Sequence, residues 1–201
     1  MDILKQAAKS WINISENSYV ITYGKSKALH TVKIIFENSD FYHLAGFQYL
    51  QDLQLLTISR PQIIFAILDN RIDGEYIQKG QNYLSLVEAR LMALIDLEYA
   101  LDNDFKLFKY NPDVYPFHTT IKDAEYLIEG KTLNNSLFFF TVKYDEAYSG
   151  MSIFMKNRNR DFSINHKQLA VLKKEKIHIE SQNKIVLLDK LSSQKPLSKE
   201  P

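Results

Sequence analysis

At 201 residues, with no cysteine and a formal net charge of +1, the chain can bury a sizeable core but cannot form disulfides, thiolate metal sites or cysteine nucleophiles. Its 45% hydrophobic and 24% charged content is that of a globular protein, and no apolar run approaches the roughly 18 residues that a membrane span needs. Near-neutral charge argues against a surface coated with phosphate contacts, so any basic surface has to be local.

Met1 to Lys5 lacks the basic and apolar regions of a secretory signal, which points to a cytoplasmic protein. Ile3 to Ile14 carries apolar residues at helical spacing and forms the expected N-terminal helix, within residues 1–17. Tyr19 to Tyr23 and His30 to Phe36 are β-branched and aromatic, joined by a turn containing Gly24, and predict a β-hairpin. Ser39 offers an N-cap and Asp40 a first-turn acid for a helix through Phe41-Tyr42-His43-Leu44-Ala45-Gly46-Phe47-Gln48-Tyr49-Leu50. Gly46 inside that helix costs about 1 kcal/mol relative to Ala, which implies close approach of another backbone or of a ligand. His43 lies three residues before it; its plainest reading is a partly buried histidine with a satisfied ring.

Pro61 opens a helix to Leu68, Asp73-Gly74-Glu75 turns into a short helix ending near Lys79, and Tyr83 to Leu101 carries a broad apolar stripe that belongs to the core. Strands follow at Phe105–Tyr110, Ile121–Ile128, Ser136–Lys143, Met151–Met155 and Gln168–Leu172, with weaker alternation to Leu188. Helices first and sheet afterwards predict an α+β fold: an N-terminal hairpin and helices followed by a curved antiparallel β-sheet. The single domain spans 18–190, with a helical part at 39–102 and a sheet part at 105–190, and a disordered tail at 191–201.

No Gly-rich phosphate loop, nucleophile elbow, HExxH or EF-hand loop is present, and no histidine has metal-ligand spacing. Neither a cofactor nor a metal is expected. What remains is a set suited to cleaving RNA without a metal: histidine as a residue type titrates near neutrality, which suits His43 to acid–base work, and Lys122, Tyr126 and Ser152 can stabilise charge on a phosphate. Lys122 and Tyr126 share a strand face because their separation is even. The most basic stretch runs from Lys156 through Arg158 to Lys176 and reads equally as a phosphate-facing patch or a solvated face.

Phe41-Tyr42-His43-Leu44-Ala45-Gly46-Phe47, followed by Leu50-Gln51-Asp52-Leu53, resembles the F-Y-H-L-x-G signature of a phage-associated Barnase–EndoU–Colicin–RelE-like (BECR) nuclease domain, the fourth phage-encoded class. Ile64-Phe65 with Asp69–Ile77, Ile121–Ile128, Gly150-Met151-Ser152-Ile153-Phe154 and Val171–Ile177 resemble its later motifs in the same order, over roughly Ser18 to Ile179. Asp123-Ala124-Glu125-Tyr126 departs from the family's A-D-Y, which leaves the register of Lys122 against Tyr126 open, and Ile153 replaces an aromatic.

The resemblance implies metal-independent endoribonuclease activity in a toxin or mobile-element effector of the bacterial cytoplasm. It implies His43 as general acid or base, Lys122 on the scissile phosphate and Ser152 as a hydrogen-bond donor to it. Tyr126, Arg90, Gln168, Lys156 and Arg158 are further candidates; Arg90 can instead make a surface ion pair and Gln168 a local hydrogen bond. The implied partners are RNA, tRNA included, and a neutralising antitoxin or immunity protein. The alternative is an inactive binding module that holds a protein or nucleotide partner on Phe138, Phe139, Phe140, Tyr144 and Tyr148. The nuclease reading requires His43, Lys122 and Ser152 to converge.

Overall fold

The computed structural model describes residues 2–53, 55, 58–157 and 160–192; of the expected disordered tail, 193–201 lies outside the described residues. Helix α1 (Ile3–Ser15) starts where the Asp2 side chain accepts from the Leu4 and Lys5 N–H groups, and it buries Leu4, Ala7, Ala8, Trp11 and Ile14 on one face. Full burial of a large apolar side chain such as Trp11 stabilises by about 3 kcal/mol. Its indole N–H donates to the Glu37 carbonyl 3.2 Å away, so burial leaves no polar group stranded.

Strands β1 (Asn17–Lys25) and β2 (Ala28–Ile34) form the expected hairpin, turning at Ser26 and Lys27, both at positive φ, rather than at Gly24. Helices α2 (Asn38–Leu44), α3 (Ile63–Leu68) and α4 (Gly74–Gln78) are short. Arg60–Gln62 forms a 3-10 turn ahead of α3, and a π-turn at Tyr83–Val87 leads into α5 (Glu88–Asp102). Six strands follow: β3 (Phe105–Lys109), β4 (Tyr126–Lys131), β5 (Ser136–Tyr144), β6 (Ala147–Met155), β7 (Gln168–His178) and β8 (Lys184–Asp189).

The expected curved antiparallel sheet is overturned by the pairing: the sheet closes into a seven-stranded mixed barrel, β1-β2-β6-β5-β4-β3-β7 and back to β1. Two contacts close it. β7 is long enough to pair with β1 along one edge while meeting β3 and then β8 on its other pairings. β2 meets β6 in a parallel bridge, Ile34 to Tyr148, so the sheet is not purely antiparallel. The early hairpin, read as separate from the later sheet, supplies two barrel strands.

Alternation along the strands builds two clusters. Tyr19, Ile21, Ile34, Ile128, Phe139 and Ile153 pack with Trp11 of α1 and Leu91, Leu94 and Leu97 of α5 in the main core. Their neighbours Leu127, Phe138 and Phe140 join Phe108 and Phe162 in a second cluster, flanked by Tyr115 and Phe117.

Lys174 on β7 ties the barrel to α5: its buried ammonium donates to the carbonyls of Leu101 and Asn103, groups that a helix end leaves unpaired. Burial pushes its pKa down from 10.5 to about 8, against the pull of Asp102 and Asp104. Between those values the unfolded chain holds the proton more tightly than the native state, so this residue's contribution to stability is lost as pH falls from 10.5 through 8. Urea unfolding should therefore show a rise in midpoint between pH 8 and 10 that is smaller in Lys174→Met.

Candidate active site

The site begins at the end of α2. Phe41, Tyr42 and Leu44 are buried, and the Glu37 N–H donates to the Asp40 side chain, so the cap is Glu37 rather than Ser39. The helix stops at Leu44, not at Leu50: Gly46 takes the left-handed conformation, φ +84°, and Phe47–Tyr49 continues as a 3-10 turn. A Cβ on Gly46 would lie 2.8 Å from Arg90 Cδ and 3.0 Å from the Leu86 carbonyl. The close approach expected at this glycine is thus made by the backbone of the π-turn at Leu86 and by the Arg90 side chain of α5.

His43 points from α2 to the edge of β6, where its Nε2 is 2.8 Å from the Gly150 carbonyl. A carbonyl only accepts, so Nε2 carries the hydrogen and Nδ1 of the neutral ring keeps its lone pair. Beside Ile34 and Tyr148 the edge is occupied by β2, whose neighbour Ile35 donates its N–H to the Tyr148 carbonyl at 2.9 Å. Beyond that bridge, side chains take the place of a strand: His43 on Gly150, and Arg90 on the Ile153 carbonyl at 3.2 Å. Burial pushes the His43 pKa below its ordinary 6.5; the Gly150 hydrogen bond opposes this, and the Arg60 and Arg90 cations add to it. The ring is neutral at pH 7.

A β-bulge aims the next residue. Thr141 pairs with Gly150 but Phe140 pairs with Ser152, leaving Met151 as the extra residue and turning Ser152 onto the face it shares with Phe140. There Arg90 Nη1 donates to Ser152 Oγ at 3.2 Å. The guanidinium carbon lies 5.4 Å from the ring centroid of Tyr49 and 5.8 Å from that of Phe154. Burial disfavours the Arg90 charge, and no carboxylate pairs with it among the described residues, in place of the expected surface ion pair. Gly150 is itself hemmed in, since a Cβ would meet Leu44 at 2.8 Å and Phe139 at 2.9 Å.

His43 and Arg90 therefore both bond β6, on either side of its bulge: His43 at the Gly150 carbonyl, Arg90 at Ser152 Oγ and the Ile153 carbonyl. Lys122 is not joined to them: β4 begins at Tyr126, and Lys122 is exposed in the preceding loop, where the Ile121 carbonyl accepts from the Tyr110 hydroxyl. The expected strand over Ile121–Ile128 is shortened accordingly, and the shared face of Lys122 and Tyr126 lapses with it. Tyr126 instead hydrogen-bonds the Tyr23 hydroxyl at 2.9 Å, with the Lys109 ammonium 4.4 Å from its ring centroid and Tyr148 packed edge-on. Gln168 is exposed at the start of β7, opposite Phe108.

Lys156 is committed elsewhere, 2.7 Å from Glu129 and 3.1 Å from Asp161. Burial works against its charge, yet those two hydrogen-bonded acids hold its pKa above the ordinary value. Arg158 lies outside the described residues. Phe138, Phe139 and Phe140 are fully buried, so that aromatic run is core rather than a docking face; of the set only Tyr144 is well exposed. Sequence reasoning missed Arg60, which lies 5.5 Å over the Tyr42 ring, and Tyr49, because neither has a periodic or spacing signal of its own.

Among the described residues no group of three or more His, Cys, Asp or Glu side chains could hold a metal ion, and no helix is long and apolar enough to cross a membrane. No curated protein and no solved structure matches the chain. A family model does, over residues 3–191, almost the whole length in which the barrel, the bulge and His43 lie. By that match the chain belongs to the phage-Barnase-EndoU-ColicinE5/D-RelE like nuclease 4 family.

Proposed function

We propose that the chain is an endoribonuclease that cleaves RNA without a metal ion, with His43 as its base. The observation that carries this reading is an imidazole fixed through Nε2 on the Gly150 carbonyl, on the same strand where a buried guanidinium bonded to Ser152 has no carboxylate partner among the described residues. His43 Nδ1 takes the proton of the ribose 2′-hydroxyl; the 2′-oxygen forms a bond to phosphorus while the bond to the 5′-oxygen breaks. The leaving oxygen collects its proton from water, which leaves a cyclic 2′,3′-phosphate and a 5′-hydroxyl. Arg90 and the Ser152 hydroxyl stabilise the charge that builds on the phosphate oxygens, worth several kcal/mol where water is excluded. Lys122, exposed in the loop before β4 and not joined to His43 or Ser152, is given no role in this step, which rests on His43, Arg90 and Ser152 without it.

The matching biology is a toxin or anti-host effector acting in the bacterial cytoplasm on RNA, tRNA included, and held in check by an antitoxin or immunity protein. The test is incubation of the purified chain with total bacterial RNA in EDTA, with the 3′ ends of the fragments identified. Cyclic phosphate ends support the reading; no cleavage in EDTA with full cleavage on adding Mg²⁺ refutes it. The pH dependence follows from the His43 shift. Because the base must be neutral, kcat/KM should rise with pH, reach half its plateau below pH 6.5, and stay level to pH 8. An acid limb centred above pH 7 would assign the base to another group.

A further inference from the structure

Several lysines of the barrel are spoken for: Lys106 and Lys156 by Glu129, and Lys109 by Glu125. Around His43 the pattern reverses. Arg60 and Arg90 both act on the His43 ring, and neither is ion-paired among the described residues. They are held differently. Arg90 is buried, bonded to Ser152 and the Ile153 carbonyl and set against Tyr49 and Phe154. Arg60 is exposed, at the start of the 3-10 turn ahead of α3, and lies over Tyr42, the residue immediately before His43. Among the described residues the two guanidiniums share no ring and no hydrogen-bond partner, so each is held by its own support.

We propose that Arg60 binds the phosphate adjacent to the one that is cut, so that the site grips an internal stretch of single-stranded RNA by two consecutive phosphates. This rests on the nuclease reading and adds a strand-positioning residue to it. Arg90, buried beside Ser152, faces the scissile group, while Arg60, out on the surface, is too exposed to stabilise a transition state strongly and is suited to a backbone contact made before and after the reaction. Stacking on Tyr42 holds the fork of Arg60 in place at little cost in side-chain freedom.

The test uses counterion release. Binding of a single-stranded RNA octamer to full-length His43→Gln, which does not consume the ligand, is measured from low to moderate salt, and again with Arg60→Gln and with Arg60→Lys added. Each phosphate contact on a single strand contributes about 0.7 to the slope of log affinity against log salt. Arg60→Gln should lower the slope by about 0.7 and the affinity several-fold, and Arg60→Lys should restore the slope. An unchanged slope, with both variants melting at the parent temperature, overturns the proposal, as does an equal loss of slope in Arg60→Lys. Failure of the parent reading shows differently: the unsubstituted chain then cleaves no RNA in EDTA, whatever Arg60 does.

Discussion

His43→Gln lowers the rate of RNA cleavage by about 10² to 10⁴-fold while leaving the protein folded. The glutamine amide can still donate to the Gly150 carbonyl, so the hydrogen bond that His43 makes on the β6 edge is kept and only the proton-accepting nitrogen is lost. His43→Ala loses both. It leaves the Gly150 carbonyl without its donor at a half-buried position, which costs about 1 to 3 kcal/mol in addition to the activity. The pair of variants separates the two roles that the geometry assigns to one ring. Equal thermal stability in the wild type and His43→Gln, with cleavage lost only in the variant, identifies a base. Cleavage retained in His43→Gln shows the histidine to be a barrel-edge cap and nothing more.

Gly46→Val destabilises the fold by roughly 3 kcal/mol and removes cleavage along with it. Two costs add. A β-branched residue at φ +84° sits in a region that costs an L-residue about 1 to 2 kcal/mol, and overpacking adds about 1 to 3. The clash is not with a movable side-chain end alone, because the Leu86 carbonyl lies 3.0 Å from the new Cβ. Arg90 Cδ, at 2.8 Å, is pushed from its place beside Ser152, so the loss of activity exceeds the loss of folded protein. Urea unfolding and cleavage, measured on the same preparation at a temperature where the variant is folded, give the two effects separately. A variant that is fully stable and active would show that the contact of Gly46 with Leu86 and Arg90 has no part in the site.

The elements that local pattern could specify were legible: α1 from Leu4, Ala7, Ala8 and Trp11 on one face, and the β1–β2 hairpin from its β-branched run. The importance of Gly46 was legible too, though its reason was not, since the sequence pattern continues past it as though the helix did. Closure of the barrel left no local trace. Val20 and Glu175 pair across nearly the whole chain, and nothing within either strand names its partner. The bulge at Met151 depends on a register that a strand-like run does not reveal, yet it decides where Ser152 points. Lys122 was misplaced because Ile121–Glu125 alternates like a strand while ladder pairing in β4 starts at Tyr126, and Arg60 and Tyr49 matter only through the rings and cations that tertiary packing sets beside them.

The long pairing between β1 and β7 also has a kinetic meaning. A barrel whose first strand must wait for its last is rich in non-local contacts, and loop-closure entropy has to be met before those contacts repay it, so such a topology folds slowly. During synthesis from the N-terminus, β1 emerges with one edge served by β2 and the other without its partner until Gln168–His178 has followed. The curvature that brings β6 against α2, and with it Gly150 against His43, is complete only when that ring is shut. A chain that ends before Gln168 thus holds His43, Arg90, Gly150 and Ser152 without the closed ring around them, so the proposed activity is expected only once β7 has paired with β1.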